Sequence, residues 1–311
     1  MRQQSYPGSE LTFEQNLEPE AAYSRYVVSY ESDGYKVYAL MTVPNGARPD
    51  TGWPVIIFNH GYIRPSAYST TGNYVPYMDM LARNGYIVFK SDYRGHGQSD
   101  GEETVGGGYG MPDYTADVLN AIASLRSYPD ADPNRVGMWG HSMGGQITLR
   151  AMVVSEDIKA GVIWAGVVPP YPDIVARWDY TRNPDLFPRM TASQAETTQS
   201  TAGSWLEKFS DWVAEFTTKY GDPDENPDFW NTISPNSYLA DLSGPIQLHQ
   251  STTDEMVPLV WSEILVEELQ AVGNSSHEFY TYPDDNHNIA VNYGVAMQRT
   301  VDFFDTTVKG Q

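Results

Sequence analysis

One serine in this sequence stands in a pattern suited to covalent chemistry. Residues 140–144 read Gly-His-Ser-Met-Gly, a G-x-S-x-G motif that follows an apolar, strand-like run and precedes a helix-like run over 146–154. In such a nucleophile elbow the serine occupies a strained strand-to-helix turn, and the flanking glycines avoid collision with the neighbouring strand and helix. Ser142 would then project its hydroxyl into a cleft, toward which the amide of Met143 also points. The motif arises often by chance, but its setting and the additional Gly145 indicate a nucleophilic serine.

The elements around this motif predict an α/β fold, with a mostly parallel central sheet flanked by helices. Apolar runs such as residues 53–58 and 160–168 are continuous, as in strands buried on both faces of a parallel sheet. Near the start, two alternating runs flank Asp33 and Gly34 and predict an antiparallel hairpin. The further predicted strands are 86–90, 245–249 and 277–282, and the predicted helices are 74–83, 114–127, 205–220, 261–271 and 289–308.

These stretches resemble the α/β-hydrolase superfamily. Residues 132–135 read Asp-Pro-Asn-Arg, and together with the Gly-His-Ser-Met-Gly-Gly after the strand they are similar to the prolyl oligopeptidase-like and dienelactone hydrolase-like branches, which include many carboxyl and feruloyl esterases. Residues 92–99 are similar to the D-x-R-G-x-G-x-S loop of these hydrolases, in which we interpret Asp92, Arg94 and His96 as scaffold. The resemblance covers nearly the whole chain and implies an α/β-hydrolase fold with a helical lid.

The resemblance also implies the other two members of a catalytic triad. The family's acid lies in a G-x-x-D-x-x-V-P loop after a core strand, and Asp254 matches it. Ser251 or Gln250 stands where glycine is usual, which leaves Glu255 as a lesser candidate. His287, in the loop after the last predicted strand, holds the position of the base. The chain order of Ser142, Asp254 and His287 is that of the superfamily.

An oxyanion hole follows from the same resemblance. The backbone amides of Tyr62 and Met143 would form it, because a His-Gly pair before Tyr62 places that amide opposite the amide after the nucleophile. We interpret the preceding His60 as a buried structural histidine. His249 and His277 are interpreted in the same way, since His249 precedes the acid and His277 begins its strand at the end away from the site.

Composition changes between the predicted strands 160–168 and 245–249. The intervening residues mix Trp and Phe with many Thr, Ser, Asp and Pro, and they resemble the lid that covers the cleft in many α/β-hydrolases. The alternative is that these aromatics form a small core against the main domain. The predicted domains are an N-terminal arm or edge extension over 1–22, a core domain over 23–168 and 243–311, and a lid insertion over 169–242. The predicted substrate-binding residues are Trp164, Trp205 and Trp212.

Charge and cysteine content exclude several classes of protein. With 19 Lys and Arg against 40 Asp and Glu, a net charge of −21, the chain has no basic patch for nucleic acid or an anionic membrane. The absence of cysteine excludes disulfides, thiolate metal sites and a cysteine nucleophile. No apolar run reaches the roughly 18 residues of a membrane span. We expect a soluble protein, and the abundance of Tyr, Asn, Asp and Thr favours an exported, processed chain over a cytoplasmic one.

The expected function is hydrolysis of carboxylic esters by two-step acyl transfer, with a small-molecule ester as substrate and no metal or organic cofactor. An aromatic acyl group of the feruloyl type fits a small aromatic lid. One alternative is a prolyl oligopeptidase-like serine peptidase, disfavoured because nothing before residue 26 resembles the β-propeller of those enzymes. Another is a catalytically silent binding protein on the same fold, disfavoured by the intact triad. Oligomeric state and natural substrate are left open by the sequence.

Overall fold

A nine-stranded sheet runs through the centre of the computed structural model, which describes residues 1–101, 111–177, 185 and 203–310. The strands are β1 (Thr12–Leu17), β2 (Tyr23–Ser32), β3 (Tyr35–Pro44), β4 (Trp53–Asn59), β5 (Ile87–Ser91), β6 (Ala131–His141), β7 (Ile158–Trp164), β8 (Ile246–Ser251) and β9 (His277–Tyr282). Their order across the sheet is β1-β2-β3-β5-β4-β6-β7-β8-β9.

Pairing changes from antiparallel to parallel at β5. The strands from β1 through β3 to β5 pair antiparallel, whereas β5, β4, β6, β7, β8 and β9 form a parallel block. The strands of this block all end at one edge of the sheet, so the loops after β4, β6, β8 and β9 meet there. The mostly parallel sheet predicted from the sequence is therefore confirmed.

Helices cover both faces of this sheet. Successive residues of β4 alternate between two cores: Val55 and Ile57 belong to one, Ile56 and Phe58 to the other. The first core takes in residues of the helices over 113–125, 143–154 and 259–271, and the second takes in residues of the helices over 75–83 and 293–304. None of the helices among the described residues is long and apolar enough to cross a membrane. The helices are α1 (Val75–Arg83), α2 (Asp113–Leu125), α3 (Met143–Val154), α4 (Tyr171–Arg177), α5 (Gly203–Tyr220), α6 (Pro227–Ile233), α7 (Leu259–Ala271) and α8 (Tyr293–Phe304).

The antiparallel part of the sheet contains a tight hairpin between β2 and β3. Asp33 and Gly34 both have positive φ, 53° and 85°, as a two-residue primed turn requires. The register from Tyr23 opposite Pro44 to Ser32 opposite Tyr35 is unbroken, which confirms the predicted hairpin. Residues 12–17 pair with β2, so this part of the predicted N-terminal arm is an edge extension of the sheet.

The chain between β7 and β8 contributes α4, α5 and α6, and its described aromatics pack on one another. Trp230 is fully buried, with its ring centroid 5.9 Å from that of Trp212 and 5.5 Å from that of Phe229. Phe216 lies 4.7 Å from Trp212. These contacts form the small core that the sequence left as the alternative to a lid. A covering role for this segment stays a prediction.

A buried ion pair fastens the loop after β5. The Arg94 side chain is 4% exposed, and its guanidinium donates to Asp117 on α2 at 2.7 Å and to Asp33 in the hairpin turn at 2.8 Å. The Arg94 amide also donates to Asp117, at 2.9 Å. One side chain thus joins a helix, a turn and a loop, as expected for a scaffold residue.

We expect Asp117→Asn to lower the free energy of unfolding by about 3 kcal/mol, because the buried guanidinium of Arg94 would lose its fully buried carboxylate partner and keep the half-exposed Asp33. Urea denaturation measures this change. Arg83→Gln is the matched control, since Arg83 pairs with Asp79 on the surface of α1, and it should leave stability nearly unchanged. Equal effects of the two variants would contradict the structural importance of the Arg94 pair.

Candidate active site

The backbone is strained at Ser142. The residue lies between the end of β6 and the start of α3, with φ 55° and ψ −118°. Conformations of this kind cost about 1–3 kcal/mol and persist only where the surrounding structure imposes them. Here the Ser142 amide donates to the carbonyl oxygen of Trp164 at 3.0 Å, and the Ser142 carbonyl oxygen accepts from the amides of Gly145 at 2.9 Å and Val167 at 3.1 Å. The elements after β6 and β7 therefore hold the turn from both sides.

Two glycines allow the elements of the elbow to approach one another. A Cβ on Gly140 would overlap the carbonyl oxygen of Gly144, and a Cβ on Gly144 would overlap the carbonyl oxygen of Asn59 at the end of β4. Both positions need glycine because of these close approaches. The strand, turn and helix predicted around Ser142 are thus present, and the turn lies against β4.

The imidazole of His287 contacts the carboxylate of Asp254. Nδ1 of His287 lies 3.0 Å from Oδ1 and 2.9 Å from Oδ2 of Asp254. Asp254 follows β8 and His287 follows β9, so the two adjacent strands deliver both residues to the same edge of the sheet. A carboxylate only accepts, so Nδ1 carries the hydrogen and Nε2 is left as the basic nitrogen, which is the tautomer that a general base needs.

Asp254 is fixed by further hydrogen bonds on both oxygens. Oδ1 accepts from the amides of Met256 and Val257 at 2.8 and 2.9 Å, and Oδ2 accepts from Nε2 of Gln250 at 2.9 Å. Gln250 is fully buried and is held in turn by the hydroxyl of Ser262. The departure from glycine near Gln250 was visible in the sequence, but the contact of its amide with Asp254 was not predicted from it.

Glu255 holds the same histidine by its backbone. Its carboxylate accepts from the amide of His287 at 3.1 Å, while Asp254 contacts the ring. Burial lowers the pKa of His287, but the charge of Asp254, the hydrogen bond with it and the charge of Glu255 together raise this pKa above its ordinary value of 6.5. Glu255, the lesser candidate for the acid, thus contacts the backbone of His287, and Asp254 contacts its ring.

The histidine loop packs against the elbow through His141, the residue before Ser142. The ring centroids of His141 and His287 are 4.6 Å apart, and Nε2 of His141 lies 3.1 Å from the carbonyl oxygen of His287. The loop that carries His287 thus lies against the residue before Ser142. The assignment of Ser142, Asp254 and His287 as a catalytic triad stays a prediction.

The loop after β4 reaches the same place. A Cβ on Gly61 would lie 3.2 Å from the Cβ of Ser142, so the peptide between Gly61 and Tyr62 is beside the nucleophile. Met143 is the first residue of α3, where a backbone N–H has no partner within the helix. Both amides predicted for the oxyanion hole therefore belong to segments next to Ser142.

Trp164 does not line a cleft. The residue is fully buried, its indole N–H donates to the hydroxyl of Thr300 on α8 at 3.2 Å, and its ring lies 5.7 Å from Trp139 and 5.3 Å from His249. The prediction that Trp164 binds substrate is wrong, because the pleat of β7 turns this side chain into the core shared with α8.

The two predicted tryptophans of the lid differ in what the structure describes. Trp205 lies outside the residues whose side chains are described. Trp212 is half-buried in the aromatic core of the segment, with its ring 5.6 Å from Tyr171 at the start of α4. Its contact with substrate stays a prediction.

The remaining candidate histidines have structural surroundings. His60 is fully buried and stacks on Tyr93 at 4.3 Å, and burial lowers its pKa well below the ordinary value. His249 is buried, and its Nδ1 lies 2.7 Å from the hydroxyl oxygen of Tyr282. His277 begins β9, at the end opposite the site. No group of three or more His, Asp and Glu side chains suited to a metal ion occurs among the described residues.

A strained serine follows β6, a carboxylate follows β8, and a histidine paired with that carboxylate follows β9. This arrangement identifies the class of fold. The chain has the α/β-hydrolase fold, with Ser142 in the strained turn between strand and helix.

The family model described as X-Pro dipeptidyl-peptidase (S15 family) matches residues 33–277, and the chain belongs to this family. The match confirms the predicted resemblance to the prolyl oligopeptidase-like branch of the superfamily.

Individual relatives include both peptidases and an esterase. The uncharacterized peptidase YuxL of Bacillus subtilis (strain 168) is 25% identical over 272 residues, which are 83% of this chain and 34% of that protein. The acylaminoacyl peptidase of Pyrococcus horikoshii superposes with a TM-score of 0.69 at 22% identity, over 94% of this chain and 43% of that chain. Acetyl xylan esterase 1 of Thermoanaerobacterium sp. JW/SL YS485 has a TM-score of 0.65 at 18% identity, over 94% and 88%. The chain spans about a third of the length of the curated relatives it matches first.

We expect the acid limb of the pH profile of kcat/KM to lie above pH 6.5. His287 must be neutral to accept a proton, and its pKa is raised above the ordinary 6.5, so activity is present above that pKa and is lost as pH falls through it. Glu255→Gln removes one charge that raises this pKa, so its limb should move to lower pH.

Glu263→Gln, on the exposed face of α7, is the control and should leave the limb in place. A wild-type limb at or below pH 6.5 would contradict the raised pKa of His287. A limb unmoved by Glu255→Gln would show that Glu255 does not act on that pKa.

Proposed function

We propose that this protein hydrolyses carboxylic esters through an acyl-enzyme on Ser142. The observation that carries the proposal is the contact of His287 Nδ1 with both oxygens of Asp254, next to a strained serine at the start of a helix. This contact fixes the tautomer in which Nε2 is free to take the serine proton.

In the acylation step, Nε2 of His287 takes the proton from Ser142 as Oγ bonds to the ester carbonyl carbon. The amides of Tyr62 and Met143 donate to the oxygen that becomes negative, and each such donor contributes on the order of 10²–10³ to the rate. The bond to the alcohol oxygen then breaks, and His287 returns the proton to the leaving alkoxide. Water, deprotonated by the same nitrogen, then attacks the acyl carbon. The bond to Oγ of Ser142 breaks, Oγ takes the proton back from His287, and the acid is released.

The chemistry favours an ester as the first substrate class. An alcohol leaves more readily than an amine, so acylation from an ester makes a smaller demand on proton donation by His287. A site with this triad therefore has to meet fewer conditions to cleave an ester than to cleave a peptide bond.

The finer proposal is that the acyl group is aromatic, of the feruloyl type. Tyr171 begins α4 shortly after the strand that supports the elbow, and Trp212 packs on it. Tyr171 is fully buried, so the half-buried ring of Trp212 would supply the apolar surface for stacking against an aromatic acyl chain.

A second candidate substrate is a peptide cleaved after proline. The specific observation in its favour is the match of residues 33–277 to a family described as X-Pro dipeptidyl-peptidase. The same triad serves both reactions, so the two candidates differ only in leaving group and in the pocket that receives the acyl part.

We expect wild-type protein to hydrolyse p-nitrophenyl esters and methyl ferulate faster than a proline p-nitroanilide, and Ser142→Ala to abolish all of this turnover while the melting temperature stays nearly unchanged. The control is Ser127→Ala, an exposed serine after α2, which should keep full activity. Faster cleavage of the anilide would favour the peptidase. Turnover retained in Ser142→Ala would refute the assignment of the nucleophile, and inactivity of the wild type on every substrate would support a binding protein.

Asp254→Asn should lower kcat by about 10⁴-fold, because an amide at this position stabilises the wrong tautomer of the base. Stopped-flow or long-time ester assays at the optimum pH measure the loss. Asp228→Asn, on the exposed first turn of α6, serves as the control. A small effect of Asp254→Asn together with a large effect of Glu255→Gln would show that the acid had been assigned to the wrong carboxylate.

A further inference from the structure

The hydroxyl of Tyr74 connects two segments of the site that are distant in sequence. It accepts from the amide of Gly61 at 2.9 Å and lies 2.8 Å from Nδ1 of His141. Gly61 precedes Tyr62 in the loop after β4, and His141 precedes Ser142 at the end of β6. One phenol oxygen thus bridges the loop that carries a candidate oxyanion donor and the elbow that carries the nucleophile.

The other nitrogen of His141 extends this connection to the catalytic base. Nε2 lies 3.1 Å from the carbonyl oxygen of His287. A carbonyl oxygen only accepts, so Nε2 of His141 carries a hydrogen and donates it. In the neutral ring Nδ1 is then an acceptor, and the Tyr74 hydroxyl donates to it. The direction of every hydrogen bond from Gly61 through Tyr74 and His141 to His287 is therefore determined.

The ring of His141 is kept neutral in this position. Its side chain is buried, and burial, followed by the proximity of His287, lowers its pKa to about 3. The imidazole of His287 gains a positive charge when it takes the serine proton, and its ring is 4.6 Å from that of His141. A neutral neighbour adds no repulsion to that charge.

Backbone geometry indicates that the position of Tyr74 is imposed by its surroundings. The residue has φ 62° and ψ 18°, in the left-handed region, just before the first turn of α1. A non-glycine residue in this region is costly unless its contacts require it. At the other end of the bond, a Cβ on Gly61 would lie only 2.7 Å from the Tyr74 hydroxyl, so a side chain there would displace it.

We propose that Tyr74 and His141 are positioning residues. They hold the loop after β4, the turn at Ser142 and the loop after β9 in fixed relative positions during the reaction. The inference rests on the proposed function for the roles of Ser142, His287 and the Tyr62 amide. Its own content is the hydrogen-bonded chain between them, which passes through the Tyr74 hydroxyl and both nitrogens of His141.

The principal test is Tyr74→Phe, which removes one oxygen and keeps the ring. We expect kcat on p-nitrophenyl acetate to fall about 10–100-fold, as misplacement of reacting groups by a fraction of an ångström to 1 Å does, with KM within about twofold of wild type because substrate contacts are kept. Tyr86→Phe is the matched control: Tyr86 is fully buried, and its hydroxyl donates to Asp305 at 2.7 Å, away from the site. It should leave kcat unchanged.

A pair of substitutions at His141 tests the same chain without relying on Tyr74. His141→Gln keeps a donor toward the carbonyl oxygen of His287 and should retain more activity than His141→Leu, which keeps neither hydrogen bond. The double variant Tyr74→Phe, His141→Leu should lose no more than the worse single variant, since both substitutions break one chain. Equal activities of the Gln and Leu variants, or additive losses in the double variant, would overturn the proposal.

Phosphonylation by a fluorophosphonate probe separates this inference from the proposed function. Oγ of Ser142 forms the P–O bond, fluoride leaves, and His287 takes the serine proton; intact mass reports the product and its rate. Wild-type labelling that slows about 10–100-fold in Tyr74→Phe and not in Tyr86→Phe supports the positioning role. Wild-type labelling with an equal rate in Tyr74→Phe overturns the positioning role alone. Wild-type protein that is neither labelled nor active overturns the proposed function, and the positioning role falls with it.

Discussion

The strained turn at Ser142 is the constraint on which the site depends. A residue with positive φ between a strand and a helix is unfavourable by itself, and here it is stabilised by hydrogen bonds from Ser142 to the segment after β7 and to α3. The close approach of Gly144 to the carbonyl group of Asn59 joins the turn to β4 as well. The strands on both sides of β6 thus take part in holding one residue. The backbone conformation of Ser142 therefore depends on the parallel pairing of β4, β6 and β7, as the core does.

His287 is held in a different way, by polar contacts of the loop that carries it. Asp285 accepts from the amides of Asn286, Val291 and Asn292, and its own carbonyl oxygen accepts from the hydroxyls of Ser251 and Thr253. The loop between β9 and α8 is thereby tied to itself and to the end of β8. His287, at the centre of this loop, has its ring bound by Asp254 and its amide bound by Glu255. In this protein of large negative net charge, the carboxylates of Asp254, Glu255 and Asp285 thus accept hydrogen bonds from defined partners.

We expect reaction chemistry and substrate choice to depend on different parts of the chain. Ser142, Asp254 and His287 lie on loops of the sheet, whereas the aromatic side chains at the start of α4 and on α5 and α6 come from the insertion between β7 and β8. Peptidases and an esterase share this fold among the structural neighbours, so the fold alone does not distinguish the two activities. The difference between an ester and a peptide substrate is thus expected in the pocket, while the acyl-transfer steps stay the same.

By itself, the sequence determined the order of strands and helices and the residues that meet at the site. Apolar runs, the Asp33-Gly34 turn and the G-x-S-x-G motif are local signals, and Ser142, Asp254 and His287 each follow a strand whose end the parallel sheet brings to one edge. The face to which Trp164 points, and its burial against α8, was decided by the pleat and by long-range packing. The same holds for Tyr74, whose hydroxyl meets Gly61 across 13 positions and His141 across 67. Contacts over such separations leave no periodic pattern along the chain, because they exist only once the sheet has brought its loops together.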